Sequence, residues 1–209
     1  MALSNIRREY RGQPLRESDA ATNPFEQFNR WFAEVRDLEA DPTAMVLATA
    51  TRDGRPSARM VLLKGVDERG FVFYTNYRSR KGREIGETRR ASLLFYWPSL
   101  ERQVRIEGVV DAVSDAESDA YFASRPVESR WSVHASPQSD VIESREQLES
   151  AAEEARQRYG EHVPRPSWWG GYRVVPDHFE FWQGRPNRLH DRLRYVKSAS
   201  GWTRERLAP

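Results

Sequence analysis

Arg188, His190 and Arg192 alternate along Arg188-Leu-His-Asp-Arg192, so on a strand their side chains point one way and make a cationic row with an imidazole at its centre. Guanidinium groups beside an imidazole lower its pKa and recruit a carboxylate or phosphate. A second group of cations, Arg78-Ser-Arg80-Lys81, comes just after the apolar run Phe71-Val-Phe-Tyr-Thr-Asn76. Cations in the first turn of a helix oppose its dipole, and an anionic ligand would remove that conflict. Arg59 and Lys64 bracket Met60-Val-Leu-Leu63 on the strand before, and the two groups together suggest a phosphate site. Tyr121 and Arg125 are neighbours on one helical face with Ser129 just past Pro126, which reads either as a second anion site or as a surface stacking pair.

Composition narrows the chemistry further. The 209 residues carry 33 basic and 31 acidic side chains, and every basic one except Lys64, Lys81 and Lys197 is Arg. Residues 111–154 are acidic and residues 180–209 basic, a polarity suited to a phosphate-bearing ligand, nucleic acid or self-association. With no cysteine, disulfide scaffolds, thiolate metal sites and cysteine nucleophiles are excluded, so redox chemistry must come from a bound cofactor. No two His stand at metal-ligand spacing, and no metal is expected. Most of the seven Trp fall at apolar strand positions or in Trp168-Trp169-Gly-Gly, where packing explains them better than base stacking, so no nucleic-acid partner is expected. The uncharged apolar runs are shorter than the ~20 residues of a membrane helix. Residues 1–16 lack the features of a secretory signal, and a cytoplasmic protein with no membrane partner is expected.

The elements that must position these residues follow from the pattern. Residues 1–22 are polar and read as a mobile arm, leaving 23–209 as one domain. Asn23-Pro-Phe-Glu26 supplies a cap, a first-turn proline and a Glu able to return a bond to the cap, and Phe25, Phe28, Phe32, Val35 and Leu38 then recur at helical spacing. Strands are predicted at 44–51, 57–64, 71–75, 92–97 and 103–113, with a turn at Asp53-Gly54 and a short helix over 79–88. Ser114-Asp-Ala-Glu117 is a capping box opening a helix that Pro126 ends, and a second capped helix over 144–159 stops at Gly160. Short strands at 171–175, 178–182, 189–197 and 202–207 complete the chain. This mainly β pattern with flanking helices predicts an antiparallel barrel, and no glycine-rich loop supports a Rossmann or P-loop domain.

In order along the chain, Arg59-Met-Val-Leu-Leu-Lys64, Phe73-Tyr-Thr-Asn76, Ser79-Arg-Lys81, Glu101-Arg-Gln-Val104, Gln138-Ser139, Trp169-Gly-Gly-Tyr172, Glu180-Phe-Trp-Gln-Gly184, Arg188-Leu-His-Asp-Arg192 and Arg206-Leu-Ala-Pro209 resemble the pyridoxine 5′-phosphate oxidase family. The resemblance implies a homodimeric split β-barrel with FMN at the subunit interface. It implies oxidation of pyridoxine 5′-phosphate or pyridoxamine 5′-phosphate by dioxygen to pyridoxal 5′-phosphate and hydrogen peroxide. By position it assigns FMN contacts to Arg59, Met60, Val61, Leu62, Leu63, Lys64, Tyr74, Thr75, Arg80, Lys81, Gln103, Gln138, Ser139, Trp182 and Arg192. Substrate phosphate falls to Lys64, Tyr121, Arg125 and Ser129, while Arg188, Leu189 and His190 lie at the pyridine ring, with Arg188 and His190 as the catalytic pair orienting it. Arg7, Arg8, Glu9 and Tyr10 are implied to fold over the occupied site as a lid.

Two ligands that each carry a phosphate need two sets of charge-assisted donors, and two anion clusters are what the residues offer. A relative oxidising a tricyclic aromatic, or a carrier without turnover, are the alternatives. The first would have no use for the Tyr121, Arg125 and Ser129 set, and peroxide production would exclude the second.

Overall fold

The computed structural model describes Asn5 and residues 8–209, so Arg7 lies outside the described residues. Helix α1 (Pro24–Val35) starts where Asn23 accepts the Phe25 N–H, and it buries Phe25, Phe28, Trp31 and Val35. The helix ends at Val35, and Leu38, expected on its apolar face, is 57% exposed beyond it. Packing begins before the helix. Leu15 and Ala20 join the core, and Tyr195 donates its hydroxyl to the Ala21 carbonyl at 2.6 Å.

The strands follow as β1 (Ala44–Ala50), β2 (Pro56–Leu62), β3 (Gly65–Asp67), β4 (Gly70–Asn76), β5 (Arg90–Trp97) and β6 (Arg102–Ala112), with helix α2 (Arg80–Thr88) between β4 and β5. Helices α3 (Asp115–Ser124), α4 (Val127–Ala135) and α5 (Arg145–Tyr159) precede β7 (Trp169–Gln183), β8 (Asp191–Ser198) and β9 (Gly201–Arg206). All pairings are antiparallel, in the order β2-β1-β5-β6-β7-β4-β3, with β8 and β9 added beside β7. The result is a mainly antiparallel half-barrel with flanking helices.

Strand β7 organises this sheet. One edge runs along β6, while the other meets β4 over residues 169–174 and β8 over residues 178–183. The two short strands expected at 171–175 and 178–182 are therefore one. Pro176 has no N–H for the ladder, and the register shifts there: Glu107 faces His178, Gly108 faces Pro176, and Asp177 is left over as a bulge. Gly108 is needed at that bulge because a Cβ would fall 2.0 Å from the Val175 carbonyl oxygen. Inside, Phe28, Phe71, Phe95, Trp97, Phe179 and Phe181 are almost wholly buried, with the Phe28 ring 4.8 Å from Phe71 and 5.2 Å from Phe95.

Candidate functional site

Helix α2 starts at Ser79, whose hydroxyl accepts the Gly82 N–H, and its first turn holds Arg80 and Lys81 with no acidic residue. That places Lys81, 8% exposed, beneath the end of β4. Its Nζ donates to Thr75 Oγ1, Ser79 Oγ and Gln138 Oε1, each at 3.2 Å. All three acceptors are neutral, and among the described residues no carboxylate pairs with it. Burial first, and then the charge of Arg59, lower its pKa to about 8.

Arg59 and Arg80 share one buried carboxylate. Glu84 accepts from Arg80 Nε at 2.9 Å and from Arg59 at 3.3 Å, as well as from Thr49 and Ser57. Burial opposes its charge, but the hydrogen bonds from Ser57, Thr49 and Arg80 outweigh that and hold its pKa at about 2. The sequence offers only Arg80, four residues earlier on the same helix, as a partner for Glu84, because its partners on β1 and β2 are far away along the chain.

A cavity of about 300 Å³ opens beside Lys81, lined by Met60, Val61, Leu62, Lys64, Tyr74, Thr75, Tyr121, Arg125, Gln138 and Trp169. Leu63, just past the end of β2, is buried in the core. Tyr121 stacks on Tyr74 with ring centroids 3.9 Å apart, and both lie parallel to Trp169. Arg125 caps the end of α3 with its guanidinium 4.9 Å from the Trp169 ring, and its buried Nη1 has no hydrogen-bond partner. Burial lowers its pKa. Trp169 was missed as a site residue, although Trp168-Trp169-Gly-Gly was visible. Ser129 lies in the first turn of α4, and Ser139 sits in the following loop with φ +78°.

The remaining residues gather elsewhere. Trp182 pairs with Gln103 on β6 and with Arg192 on β8, and its ring centroid is 4.7 Å from that of His190. The expected cationic row does not form. Pro186 starts a single 3-10 turn in which Asn187 and Arg188 have φ +57° and +61°, so Arg188 is not on a strand, and β8 begins only at Asp191. Arg192 turns instead to Glu180, donating at 2.8 Å. Leu189 is 70% exposed. His190 Nδ1 accepts the Arg185 backbone N–H at 3.1 Å, so the neutral ring carries its proton on Nε2. Burial, then Arg188, lowers its pKa; of the two guanidinium groups expected to do so, Arg192 takes no part. Tyr10 stands edge-on to both Trp182 and His190, with Arg8 over its own ring at 5.9 Å, while Glu9 is exposed.

Two half-sites result, and β7 separates them. Tyr74 pairs with Gly171 near its start, and Trp182 lies eleven residues further on, roughly 35 Å along an extended strand. None of Gln103, Trp182, Arg188, His190 or Arg192 lines the cavity beside Lys81.

The donor set around the cavity suits phosphate. A buried cation, Lys81, and a half-buried one, Arg125, face it without an anion, next to hydroxyls and an amide that can also donate, and three aromatic rings offer a flat apolar wall. Among the described residues there is no cluster able to hold a metal ion and no helix long and apolar enough to cross a membrane.

A family model described as pyridoxamine 5′-phosphate oxidase matches residues 32–159, and another, described as the pyridoxine 5′-phosphate oxidase C-terminal dimerisation region, matches residues 169–209. The chain is 57% identical over 208 residues to pyridoxine/pyridoxamine 5′-phosphate oxidase of Thermosynechococcus vestitus, covering 99% of both chains. It is 59% identical over 209 residues to the same-named protein of Paraburkholderia phymatum, again covering 99% of each. Among solved structures it is similar to PhzG from Burkholderia lata, in complex with tetrahydrophenazine-1-carboxylic acid, with a TM-score of 0.88 at 37% identity over 95% of this chain and 99% of that one. An FMN-binding, pyridoxamine 5′-phosphate oxidase-related protein from Nostoc punctiforme shares the fold, with a TM-score of 0.71 at 17% identity over 90% of this chain and 100% of that one. Matched in both of the family's regions and along nearly its full length, the chain belongs to the pyridoxine/pyridoxamine 5′-phosphate oxidase family.

Proposed function

We propose that this chain is an FMN-dependent oxidase of the vitamin B6 pathway that makes pyridoxal 5′-phosphate. Pyridoxine 5′-phosphate and dioxygen give the aldehyde and hydrogen peroxide, and pyridoxamine 5′-phosphate also takes up water and releases ammonia. The observation that carries this reading is a pair of cations, the buried Lys81 and the half-buried Arg125, facing one aromatic-walled cavity without an anion. FMN, when bound, supplies the two-electron acceptor that dioxygen reoxidises.

The rest is the work of this chain's residues. Arg59, Arg80, Lys81, Thr75, Gln138 and Ser139 hold the FMN phosphate, and Met60, Val61, Leu62, Leu63, Lys64 and Tyr74 supply the strands beneath the flavin. Gln103, Trp182 and Arg192 complete the cofactor site from a second subunit. Lys64, Tyr121, Arg125 and Ser129 hold the substrate phosphate. Arg188 and His190 orient the pyridine ring next to Leu189, and the Nε2–H of His190 is the donor turned to the substrate.

The separation of the half-sites along β7 supports a homodimer, because a twofold partner can bring one end of its β7 to the opposite end of the other. The dimerisation description of the region matched by 169–209 supports the same arrangement. Of residues 1–22, the outer part with Arg7, Arg8, Glu9 and Tyr10 acts as an arm that closes on the site, while Leu15 and Ala20 pack into the one domain formed with 23–209. The enzyme works in the cytoplasm without nucleic-acid or membrane partners. Supplying the FMN-loaded protein with pyridoxine 5′-phosphate in air tests the proposal. Equal amounts of pyridoxal 5′-phosphate and peroxide are expected, and a flavin-loaded protein that makes neither contradicts it.

A further inference from the structure

Glu101 ends the turn after β5 with φ +56°, a left-handed conformation that glycine and asparagine adopt readily and glutamate seldom does. Its side chain is 12% exposed and points at the arm. The carboxylate accepts the backbone N–H groups of Arg11 at 2.6 Å and Gly12 at 2.9 Å, and Arg8 donates to it at 3.2 Å. The Glu101 carbonyl accepts the Gly184 N–H at 2.8 Å.

These bonds close a ring that passes through the proposed catalytic loop. The Gly12 carbonyl accepts from the Arg185 guanidinium, and the Arg185 backbone N–H donates to His190 Nδ1. Tyr10 sits inside this ring, its centroid 5.5 Å from Trp182 and 5.4 Å from His190. It rests on Gly184, where a Cβ would lie 2.7 Å from Tyr10 Cδ1. A carboxylate that takes two consecutive backbone N–H groups makes strong, charge-assisted bonds, and here they fix the segment carrying Tyr10.

We propose that Glu101 is a positioning residue whose carboxylate latches residues 8–12 so that Tyr10 covers His190 and Trp182, and that this latch sets the affinity of the site for its substrate. The proposal rests on the function proposed above. It assigns Glu101 no contact with substrate; its effect passes through Tyr10.

Glu101→Gln keeps the shape and removes the charge. In the FMN-loaded enzyme we expect trypsin to cut after Arg11 about tenfold faster, and KM for pyridoxine 5′-phosphate to rise about fivefold with kcat within about twofold. In a Tyr10→Ala background the same substitution should add no further rise in KM, a coupling that mere loosening of the barrel end would not produce. Should Glu101→Gln fail to fold, Glu101→Asn, which tolerates the left-handed conformation, is expected to behave the same way. Unchanged cleavage overturns the proposal. So does faster cleavage with unchanged KM, or an equal rise in KM with and without Tyr10. A wild-type protein that makes no pyridoxal 5′-phosphate would defeat the proposed function instead, and the trypsin comparison would still decide whether Glu101 holds the arm.

Discussion

Lys81 and Gln138, 57 residues apart in the chain, meet at 3.2 Å beside Thr75, and this contact joins helix α2 to the loop after α4 around a buried ammonium group. The site has a cation and neutral partners, and in the proposed function the anion is a flavin phosphate.

A phosphate beside Lys81 stabilises its charged form, so its pKa of about 8 rises on binding and protons are taken up above that pH. FMN affinity of the flavin-free protein should therefore fall as pH rises beyond about 8. Riboflavin, which lacks the phosphate, should show no such fall, and Lys81→Met should remove the difference. Fluorescence titrations with both flavins across this range check it, and parallel profiles would count against the assignment.

His190 should be neutral at pH 7, because burial and Arg188 both lower its pKa and its Nδ1 already accepts from Arg185. The neutral form is lost only as pH falls, below the ordinary His value of about 6.5. Replacing Arg188 with Ala removes one of the two causes and should move the titration upward. Proton NMR of the His190 ring reads the shift directly; no change on replacing Arg188 would refute the coupling.

If each site combines the Arg125 end of one subunit with the Arg188 end of another, two inactive variants can repair each other. Arg125→Ala and Arg188→Ala chains, mixed and reassociated, should regain about a quarter of wild-type activity, since half of the dimers would be mixed and each would hold one intact site. Activity that stays at the level of the separate variants would place both ends in one chain.

Phe28 is fully buried against Phe71, Phe95 and Trp97. Phe28→Ala should cost about 3–5 kcal/mol in urea unfolding, from lost transfer free energy and the cavity left behind. A loss under about 1 kcal/mol would mean that the core closes over the gap.

Much of this fold was written locally. Asn23-Pro24 starts α1, Ser114 and Glu117 form the capping box of α3, and Ser144 and Gly160 bound α5 as their types require. Pro126 ends α3 as its type requires, yet it also serves as the N-cap of α4, which has no side-chain cap and little apolar periodicity to announce it. Pro176 suggested a break where a bulge lets β7 continue. The row of Arg188, His190 and Arg192 assumed a regular strand, and two consecutive positive φ values remove it. Cations at the phosphate site were legible by type. The carboxylates that orient them or hold the arm, Glu84 and Glu101, were not, because apart from Arg80, one helical turn before Glu84, their partners lie 25 to 93 residues away and only the folded chain brings them together.

In the proposed reaction a B6 phosphate reduces the bound FMN and dioxygen takes the electrons on. An anaerobic titration of the FMN-loaded protein with pyridoxine 5′-phosphate, followed through the visible flavin band and then opened to air, addresses it most directly. Bleaching is expected as substrate is added, then recovery of the band with peroxide when air is admitted. A yellow protein whose band stays unchanged through the titration would contradict it.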